Sequence, residues 1–415
     1  MELVYDATWV ASEGARPISL SLPMNLDGLP LKGERVGFFF DNLLPDSDSI
    51  RQRLRSRFKT RSGDTFDLLE AVGRDCVGAI QLLPDGSEPE RVHTIDATPL
   101  TDREIEKLLV GAVSSEAIVS DDDDFRISIA GAQEKTALLW HDGRWCKPHG
   151  ATPTTHIFKL PLGLVGGRQL DLTESLENEW LSAQLLAEYG VPVASCEVKK
   201  LGSAKALVVA RFDRVLHSSG RYWLRLPQED FCQATGVPSS LKYEADGGPG
   251  LIEIARILQG SESRNDDLST LLRAQLLFWM LAATDGHAKN FSLRLLPQGR
   301  FRLTPLYDVL SAWPVTGSRQ NQVHAKKLKL AMAVRGEKKH YRLEEIGRRH
   351  FNATARQCGL GSDMETIVDD VVTRTSSVID AVGGRLPRGF PEGLFSSVTK
   401  GLQKAARRIG RMAAE

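Results

Sequence analysis

Cysteine is scarce in this sequence, and the few cysteines are poorly placed for a shared task. The five cysteines are an odd number, lie far apart and form no C-x-x-C pair. The nine histidines likewise show no H-E-x-x-H or similar pairing. These absences argue against a disulfide framework and against a structural zinc site, and they favour a reducing, cytoplasmic environment.

A net charge and a long hydrophobic run are also missing. The 53 lysines and arginines balance the 53 aspartates and glutamates, so any nucleic-acid contact would have to be local. The most apolar stretch, residues 268–283, is interrupted by Arg273 and Gln275 and is too short to span a bilayer. The first six residues are not a signal peptide. The sequence therefore predicts a cytoplasmic protein without a membrane segment, long enough for roughly two or three domains.

A polar segment follows directly after that apolar stretch. Residues 268–283 have little polar face and predict a buried helix. The dipeptide Asp285-Gly286 is expected to break this helix. Asp285, Lys289 and Asn290 would then lie on the loop that follows.

A predicted hairpin over residues 291–305 leads from this loop to Asp308. Phosphoryl transfer needs such a set, because one carboxylate orients the attacking hydroxyl and accepts its proton, while a second carboxylate and an amide oxygen hold Mg²⁺ on the phosphates of ATP. Protein-kinase catalytic loops place an asparagine five residues after the base, as Asn290 follows Asp285. The alternative is that Asp-Gly only turns the chain and that Asn290 caps the turn, and the loop alone does not separate the two.

An apolar strand with a single lysine precedes this loop in the chain. Residues 155–161 predict the strand, and its Lys159 needs a partner or a ligand in such surroundings. A helix is predicted over residues 173–189, and its Glu179 is the expected ion-pair partner of Lys159. The neighbouring strands, which complete the order of a protein-kinase ATP lobe, are predicted at 125–129, 136–140, 194–199 and 205–211.

The N-terminal region, up to about residue 119, mixes predicted strands and helices. The glycines at 73 and 78 have neither P-loop nor dinucleotide spacing, so a structural role is the preferred interpretation. Thr101 and Glu104 occupy the positions of a helix capping box. Four successive aspartates, residues 121–124, predict a solvated linker. The elements expected before it are strands at 18–23 and 77–83 and helices at 66–72 and 101–111.

Basic charge is concentrated locally near the C-terminus. Residues 326–349 contain nine lysines and arginines against three glutamates, a local net charge of +6 (9 − 3). Such runs are usually solvated faces, and contact with a phosphate backbone is the minority interpretation.

Seven short motifs lie in order along nearly the whole chain. They are 40–46 (FDNLLPD), 73–79 (GRDCVGA), 128–135 (SIAGAQEK), 226–230 (LPQED), 242–244 (KYE), 285–291 (DGHAKNF) and 306–308 (LYD). This set resembles the HipA-type serine/threonine kinases, which are toxins of bacterial toxin–antitoxin modules linked to persistence.

The resemblance implies an α+β, protein-kinase-like two-lobed fold. An extra N-terminal α+β subdomain is implied at 1–124, a β-rich ATP lobe at 125–213 and a mainly helical catalytic lobe at 214–415. The implied cofactors are ATP and Mg²⁺. The implied partners are a small helix-turn-helix antitoxin of the HipB type, operator DNA reached mainly through that antitoxin, and an aminoacyl-tRNA synthetase as substrate, with glutamate–tRNA ligase as the known type.

Roles for single residues also follow from the resemblance. It implies that Asp285 is the catalytic base, that Asn290 and Asp308 hold the metal, and that Lys159 binds the α- and β-phosphates. The remaining residues implied to bind ATP are Ala130, Gly131, Ala132, Gln133, Glu134 and Lys135 in the phosphate loop, Ala210, Arg211 and Phe212 at the adenine hinge, and His287, Ala288 and Lys289 in the catalytic loop.

Ser128 matches the regulatory autophosphorylation serine of the family. In the predicted strand it points away from Ile127 and Ile129, and it lies two residues before the phosphate loop. That is too close along the chain for its hydroxyl to reach the γ-phosphate in line, so we expect phosphorylation between molecules. The added charge would compete for the groups that hold ATP and would inactivate the kinase.

Two functional hypotheses remain. One is a kinase that stalls translation by phosphorylating a tRNA ligase, and the other is a catalytically inactive co-repressor that braces an antitoxin on DNA. The complete set of Lys159, Asp285, Asn290 and Asp308 favours the kinase, since a binding scaffold has no need of all four. Of the basic residues that approach DNA in the family, Arg356 matches one, whereas Gly359 replaces another.

Overall fold

The computed structural model of the chain describes residues 1–25, 27–89, 91–113, 133 and 135–414. Both helices and sheets are present, which confirms the predicted α+β class. The helices are α1 Ala7–Val10, α2 Glu34–Asp41, α3 Asp48–Phe58, α4 Thr65–Val72, α5 Asp102–Val113, α6 Ser175–Glu188, α7 Phe231–Thr235, α8 Leu251–Leu258, α9 Arg264–Leu281, α10 Arg348–Cys358, α11 Glu365–Gly383 and α12 Glu392–Gly410. The strands are β1 Glu2–Leu3, β2 Leu31–Lys32, β3 Ala97–Pro99, β4 Lys135–His141, β5 Arg144–Pro148, β6 His156–Lys159, β7 Gly163–Val165, β8 Leu170–Leu172, β9 Cys196–Leu201, β10 Ala204–Ala210, β11 Arg214–Leu216, β12 Trp223–Arg225, β13 Gln228–Asp230, β14 Ser292–Leu295, β15 Phe301–Leu303, β16 Lys329–Arg335 and β17 Lys339–Arg342.

The chain divides into two compact units. The first unit consists of Met1–Leu160, Ser195–Ser240 and Arg294–Gly299, and the second of Pro161–Ala194, Leu241–Leu293 and Arg300–Glu415. The three-domain division that the resemblance implies stays a prediction. Among the described residues, none of the helices is long and apolar enough to cross a membrane.

The N-terminal part of the first unit is built around helices α2 to α4. Phe39 from α2 and Leu68 from α4 are fully buried in one apolar cluster. Helix α4 confirms the prediction for 66–72. The predicted strands at 18–23 and 77–83 are wrong, because the first segment folds into a tight turn with a bridge between Ser19 and Leu22, and the second turns at Gly78.

The first unit also contains a six-stranded sheet, in the order β3-β5-β4-β6-β10-β9. Four of its strands confirm predictions made from the sequence (β4, β6, β9 and β10). Helix α5 buries Ile105 and Leu109 against this sheet. The predicted capping box at its start is confirmed, since the Thr101 N–H donates to Glu104 Oε2 (2.8 Å) and the Glu104 N–H donates to Thr101 Oγ1 (3.3 Å).

The glycine at 78 has the structural role expected of it. Its φ of 74° lies in the left-handed region, and a Cβ there would stand 2.7 Å from the carbonyl oxygen of Gln228. Its N–H donates to Oδ2 of Asp213 at 2.7 Å. Gly78 therefore lets two backbone segments of the first unit, far apart in sequence, approach each other closely.

The second unit is mainly helical, and helix α9 runs through its core. The side chains of α9 from Leu276 to Leu281 are buried without exception. Helix α6 confirms the prediction for 173–189, and α11 packs against both α6 and α12. Hairpins β7–β8 and β16–β17 complete this unit.

Candidate active site

The predicted catalytic loop begins where helix α9 ends. The helix stops at Leu281, and Ala282 takes the left-handed conformation (φ 51°) as its C-cap. The N–H of Ala283 then donates to the Phe278 carbonyl at 2.8 Å, which closes the helix end. The prediction that Asp285-Gly286 breaks the helix is therefore wrong in detail, because the break lies a few residues earlier.

The loop from Asp285 to Asn290 is held by its own backbone. The N–H of His287 donates both to the Asp285 carbonyl (2.8 Å) and to Asn290 Oδ1 (3.0 Å), and the N–H of Asn290 donates back to the His287 carbonyl (2.9 Å). A Cβ on Gly286 would lie 2.4 Å from the ring of Phe278, so only glycine fits there. Asp285 is exposed, whereas His287, Lys289 and Asn290 are buried.

Asp308 stands in a strained backbone conformation. Its φ is 62°, in the left-handed region that non-glycine residues seldom adopt. Such outliers persist only where the surroundings impose them, and they cluster at functional sites. The adjacent Tyr307 donates from its hydroxyl to the Lys289 carbonyl (2.9 Å), which ties the segment of Asp308 to the catalytic loop. The second unit thus brings the predicted base and both predicted metal ligands onto connected segments.

The amide oxygen of Asn290 and the carboxylate of Asp308 are the kinds of donor that a magnesium ion takes. Oδ1 of Asn290 accepts one bond, from His287, and a carbonyl oxygen has a second lone pair. Within the described ranges, no group of three or more His, Cys, Asp or Glu side chains could hold a metal ion. Magnesium that is held by one or two protein oxygens together with phosphates needs no such group.

Two lysines predicted to bind ATP lie side by side in the first unit. Strands β4 and β6 are antiparallel, and Lys135 is the direct cross-strand neighbour of Lys159. Both side chains therefore lie on one face of the sheet. Gln133 donates from its side chain to the Leu160 carbonyl, next to the same strand. Ser128, Ala130, Gly131, Ala132 and Glu134 lie outside the described residues.

The predicted hinge, 210–212, uses much of its own hydrogen-bonding capacity within the first unit. The N–H of Ala210 donates to the Ser195 carbonyl (2.8 Å), and the N–H of Arg211 donates to the Thr155 carbonyl (2.9 Å). The carbonyl of Phe212 accepts from Arg294 (2.6 Å). Any backbone hydrogen bond from adenine to Ala210 or Arg211 would therefore have to be accepted by a carbonyl oxygen.

The side chain of Arg211 belongs to a buried ion network rather than to a ligand site. It bonds to Asp75 (3.4 Å) and to Asp213 (2.8 Å). Arg214 bonds to the same two carboxylates, and Arg225 bonds to Asp75. Burial alone would raise the pKa of the Asp75 carboxyl, but the three guanidinium charges outweigh burial and hold this pKa well below its ordinary value.

Sequence reasoning gave Tyr243 no role of its own, although it lies in one of the seven motifs. Its hydroxyl donates to Asp285 Oδ1 at 2.5 Å. A contact across 42 residues leaves no periodic pattern from which it could be inferred. Glu179 is buried on α6, and its predicted ion pair with Lys159 stays a prediction.

Part of the basic stretch near the C-terminus has a structural function. Arg335 (3.2 Å) and Lys339 (2.9 Å) both pair with the buried Glu244. Arg356, on α10, is exposed and donates to the Ser362 carbonyl (3.0 Å). The solvated-face interpretation is therefore incomplete, because two of these cations neutralise a buried carboxylate.

Comparison with known families gives two matches that together span most of the chain. The family model for the HipA N-terminal domain matches residues 1–83. The model for the HipA-like C-terminal domain matches residues 127–379.

Individual relatives agree with these matches. The chain is 33% identical to Y4mE of Sinorhizobium fredii, which is named as a candidate kinase, over 337 residues that make up 79% of this chain and 76% of that protein. It is 28% identical to the serine/threonine-protein kinase toxin HipA of Shewanella oneidensis over 319 residues, 74% of this chain and 69% of the relative.

A solved structure shares the fold. The chain is similar to one in the complex of HipA, HipB and operator DNA from Shewanella oneidensis, with a TM-score of 0.76 and 23% identity over 97% of this chain and 91% of that one. The predicted fold is confirmed by this likeness.

Proposed function

The chain belongs to the family of HipA-like serine/threonine kinase toxins, and on this premise we propose that it transfers the γ-phosphoryl group of ATP to a serine or threonine of a protein. The observation that carries the proposal is the geometry of the second unit. Asp285 is exposed at the start of a self-bonded loop, and the strained Asp308 is tied to that loop through Tyr307 and Lys289. A scaffold that only binds an antitoxin has no need of a base and two metal ligands held on connected segments.

In the proposed reaction Asp285 is the general base. It orients the hydroxyl of the acceptor and accepts its proton while the hydroxyl oxygen bonds to the γ-phosphorus and the bond to ADP breaks. Lys159, beside Lys135, would bind the α- and β-phosphates. Mg²⁺, held by Asn290 and Asp308, would neutralise charge on the phosphates.

The proposed substrate is an aminoacyl-tRNA synthetase, with glutamate–tRNA ligase as the first candidate. Its phosphorylation would inhibit translation and arrest growth in the cytoplasm. We further propose a helix-turn-helix antitoxin of the HipB type as partner and a co-repressor role on operator DNA, reached mainly through the antitoxin. The solved Shewanella complex contains HipA, HipB and operator DNA, and one of its chains shares the fold of this protein, which supports the assignment.

Mg²⁺-dependent consumption of ATP tests the kinase proposal. Purified protein should transfer labelled γ-phosphate to glutamate–tRNA ligase or to itself, and removal of Mg²⁺ by chelation should stop the transfer. No transfer to either acceptor, together with normal assembly of antitoxin on DNA, would instead favour the catalytically inactive co-repressor.

The proposed self-inactivation at Ser128 is tested with homogeneous phosphorylated and unphosphorylated protein. The phosphorylated form should bind ATP poorly, because about −1.5 to −2 added charge would oppose the triphosphate. The specific rate of autophosphorylation should rise with protein concentration, as expected for a reaction between molecules. Equal ATP affinities would remove Ser128 from this role, and a concentration-independent rate would remove the intermolecular step.

A further inference from the structure

We propose that Tyr243 is a positioning residue, which fixes the carboxylate of Asp285 so that its second oxygen faces the acceptor hydroxyl. The inference rests on the proposed kinase function, and in it Tyr243 acts on the reaction only through Asp285. A catalytic base is effective only when a third group holds it in the productive orientation.

The hydrogen bond itself is short and uses one defined oxygen. The Tyr243 hydroxyl donates to Asp285 Oδ1 at 2.5 Å, within the range for a hydroxyl on an ionised carboxylate. No described residue hydrogen-bonds Oδ2 of Asp285, and the residue is exposed. One oxygen is thus held by the protein, while the other is accessible to a substrate.

The segment that carries Tyr243 touches the catalytic loop at two further points. The carbonyl of Lys242 accepts from the N–H of Ala288 at 3.3 Å. The Tyr243 ring meets the His287 ring edge to face, with centroids 5.0 Å apart at 85°. The phenol therefore cannot swing away from Asp285 without losing contacts on either side of it.

The same segment is anchored from behind by Glu244. This buried carboxylate accepts from the N–H of Ala333 (2.7 Å) and pairs with Arg335 and Lys339 of hairpin β16–β17. A Cβ on Gly250 would lie 2.2 Å from the Glu244 carboxyl carbon. The anchor leaves Tyr243 little positional freedom, as a positioning role requires.

Tyr243→Phe removes the donor and keeps the ring against His287. We expect kcat for phosphoryl transfer to fall roughly 10- to 100-fold, since small misplacements of a reacting group have effects of this size. The KM for ATP should change by less than about threefold, because the phenol does not take part in the proposed nucleotide contacts.

Tyr189→Phe is the matched control. It removes the hydroxyl of a buried tyrosine in the second unit. This hydroxyl donates to Thr375 Oγ1 at 2.9 Å, and neither residue belongs to the catalytic loop. It should lower thermal stability while leaving kcat within about twofold of the unmodified protein. A loss of kcat equal to that of Tyr243→Phe would show that any lost tyrosine bond has this effect, and would overturn the proposal.

The decisive measurement is a double-mutant cycle that combines Tyr243→Phe with Asp285→Asn. Single-turnover transfer is measured for each variant. The acceptor is glutamate–tRNA ligase or the chain itself, depending on which of them the unmodified protein labels. If Tyr243 acts through Asp285, Tyr243→Phe should change transfer by less than about twofold once the base is already lost. The inference would be overturned, while the kinase proposal stands, if the effects of the two substitutions on transfer were fully additive. The same holds if Tyr243→Phe alone left kcat unchanged, or raised it because the phenol no longer competes with the substrate. Absence of transfer by the unmodified protein would overturn both.

Discussion

Replacing Asp75 by asparagine is expected to destabilise the first unit by about 3–5 kcal/mol, the usual cost of breaking a buried ion pair from one side. Oδ2 of Asp75 accepts from the Thr154 N–H (3.0 Å) and hydroxyl (2.6 Å), and Oδ1 contacts Arg214 (3.0 Å) and Arg225 (3.3 Å). In either orientation an asparagine would turn its NH₂ toward donors. The buried Arg211 and Arg214 would then share the carboxylate of Asp213, and Arg225 would lose its carboxylate partner.

Chemical and thermal unfolding, followed by circular dichroism, measure this loss. For a domain of roughly 150–250 residues, each kcal/mol lowers Tm by about 2–4 °C, so a fall on the order of 10 °C is expected. Asp67→Asn is the matched control, because Asp67 pairs in the same unit with the exposed Arg61 at 3.4 Å. Its cost should stay below about 1 kcal/mol.

The pH dependence provides a second check. The pKa of Asp75 is lower in the folded protein than in the unfolded chain, so its stabilisation is present above the unfolded value of about 4 and is lost as pH falls below it. The unmodified protein should lose stability below about pH 4 more steeply than Asp75→Asn. Equal costs for Asp75→Asn and Asp67→Asn, or parallel acid profiles, would refute the reasoning.

Two further predictions concern Asp308 and Glu229. Asparagine tolerates a positive φ, so Asp308→Asn should keep the backbone conformation. In calorimetry this variant should lose the increase in ATP affinity that Mg²⁺ causes, and an unchanged affinity for Mg·ATP would show that Asp308 has a structural role instead. Burial raises the pKa of Glu229 to about 8. Between about pH 4.5 and 8 the folded protein therefore keeps a proton that the unfolded chain loses, so the free energy of unfolding should fall as the pH rises through this range. Glu229→Gln should remove this fall in urea titrations, and a variant curve parallel to that of the unmodified protein would contradict it.

Elements with local periodicity could be predicted from the sequence. The short apolar run around Lys159 predicted strand β6, and the longer apolar run before Asp285 predicted helix α9, because a buried strand or helix leaves a continuous apolar stretch. The spacing of Asp285 and Asn290 also marked the segment that is proposed as the catalytic loop.

Contacts between distant segments were not predictable in this way. Residues 18–23 alternate as a strand would, yet the hydroxyls of Ser19 and Ser21 donate to the Gln233 carbonyl more than 200 residues away, and the segment turns on itself. Arg211 was assigned to the hinge by the family resemblance, whereas its side chain is bound to Asp75, 136 residues earlier. Such partners are determined by tertiary packing, which no local pattern encodes.

The transfer rate of Asp285→Asn is the sharpest test of whether Asp285 acts as the base of a phosphoryl transfer. The amide keeps the shape of the side chain but cannot take the proton, so transfer should fall by about 10²–10⁴-fold while ATP affinity stays within a few-fold of the unmodified protein. The assay compares both proteins with Mg·ATP and the same acceptor. Near-normal turnover by Asp285→Asn would show that Asp285 is not the base.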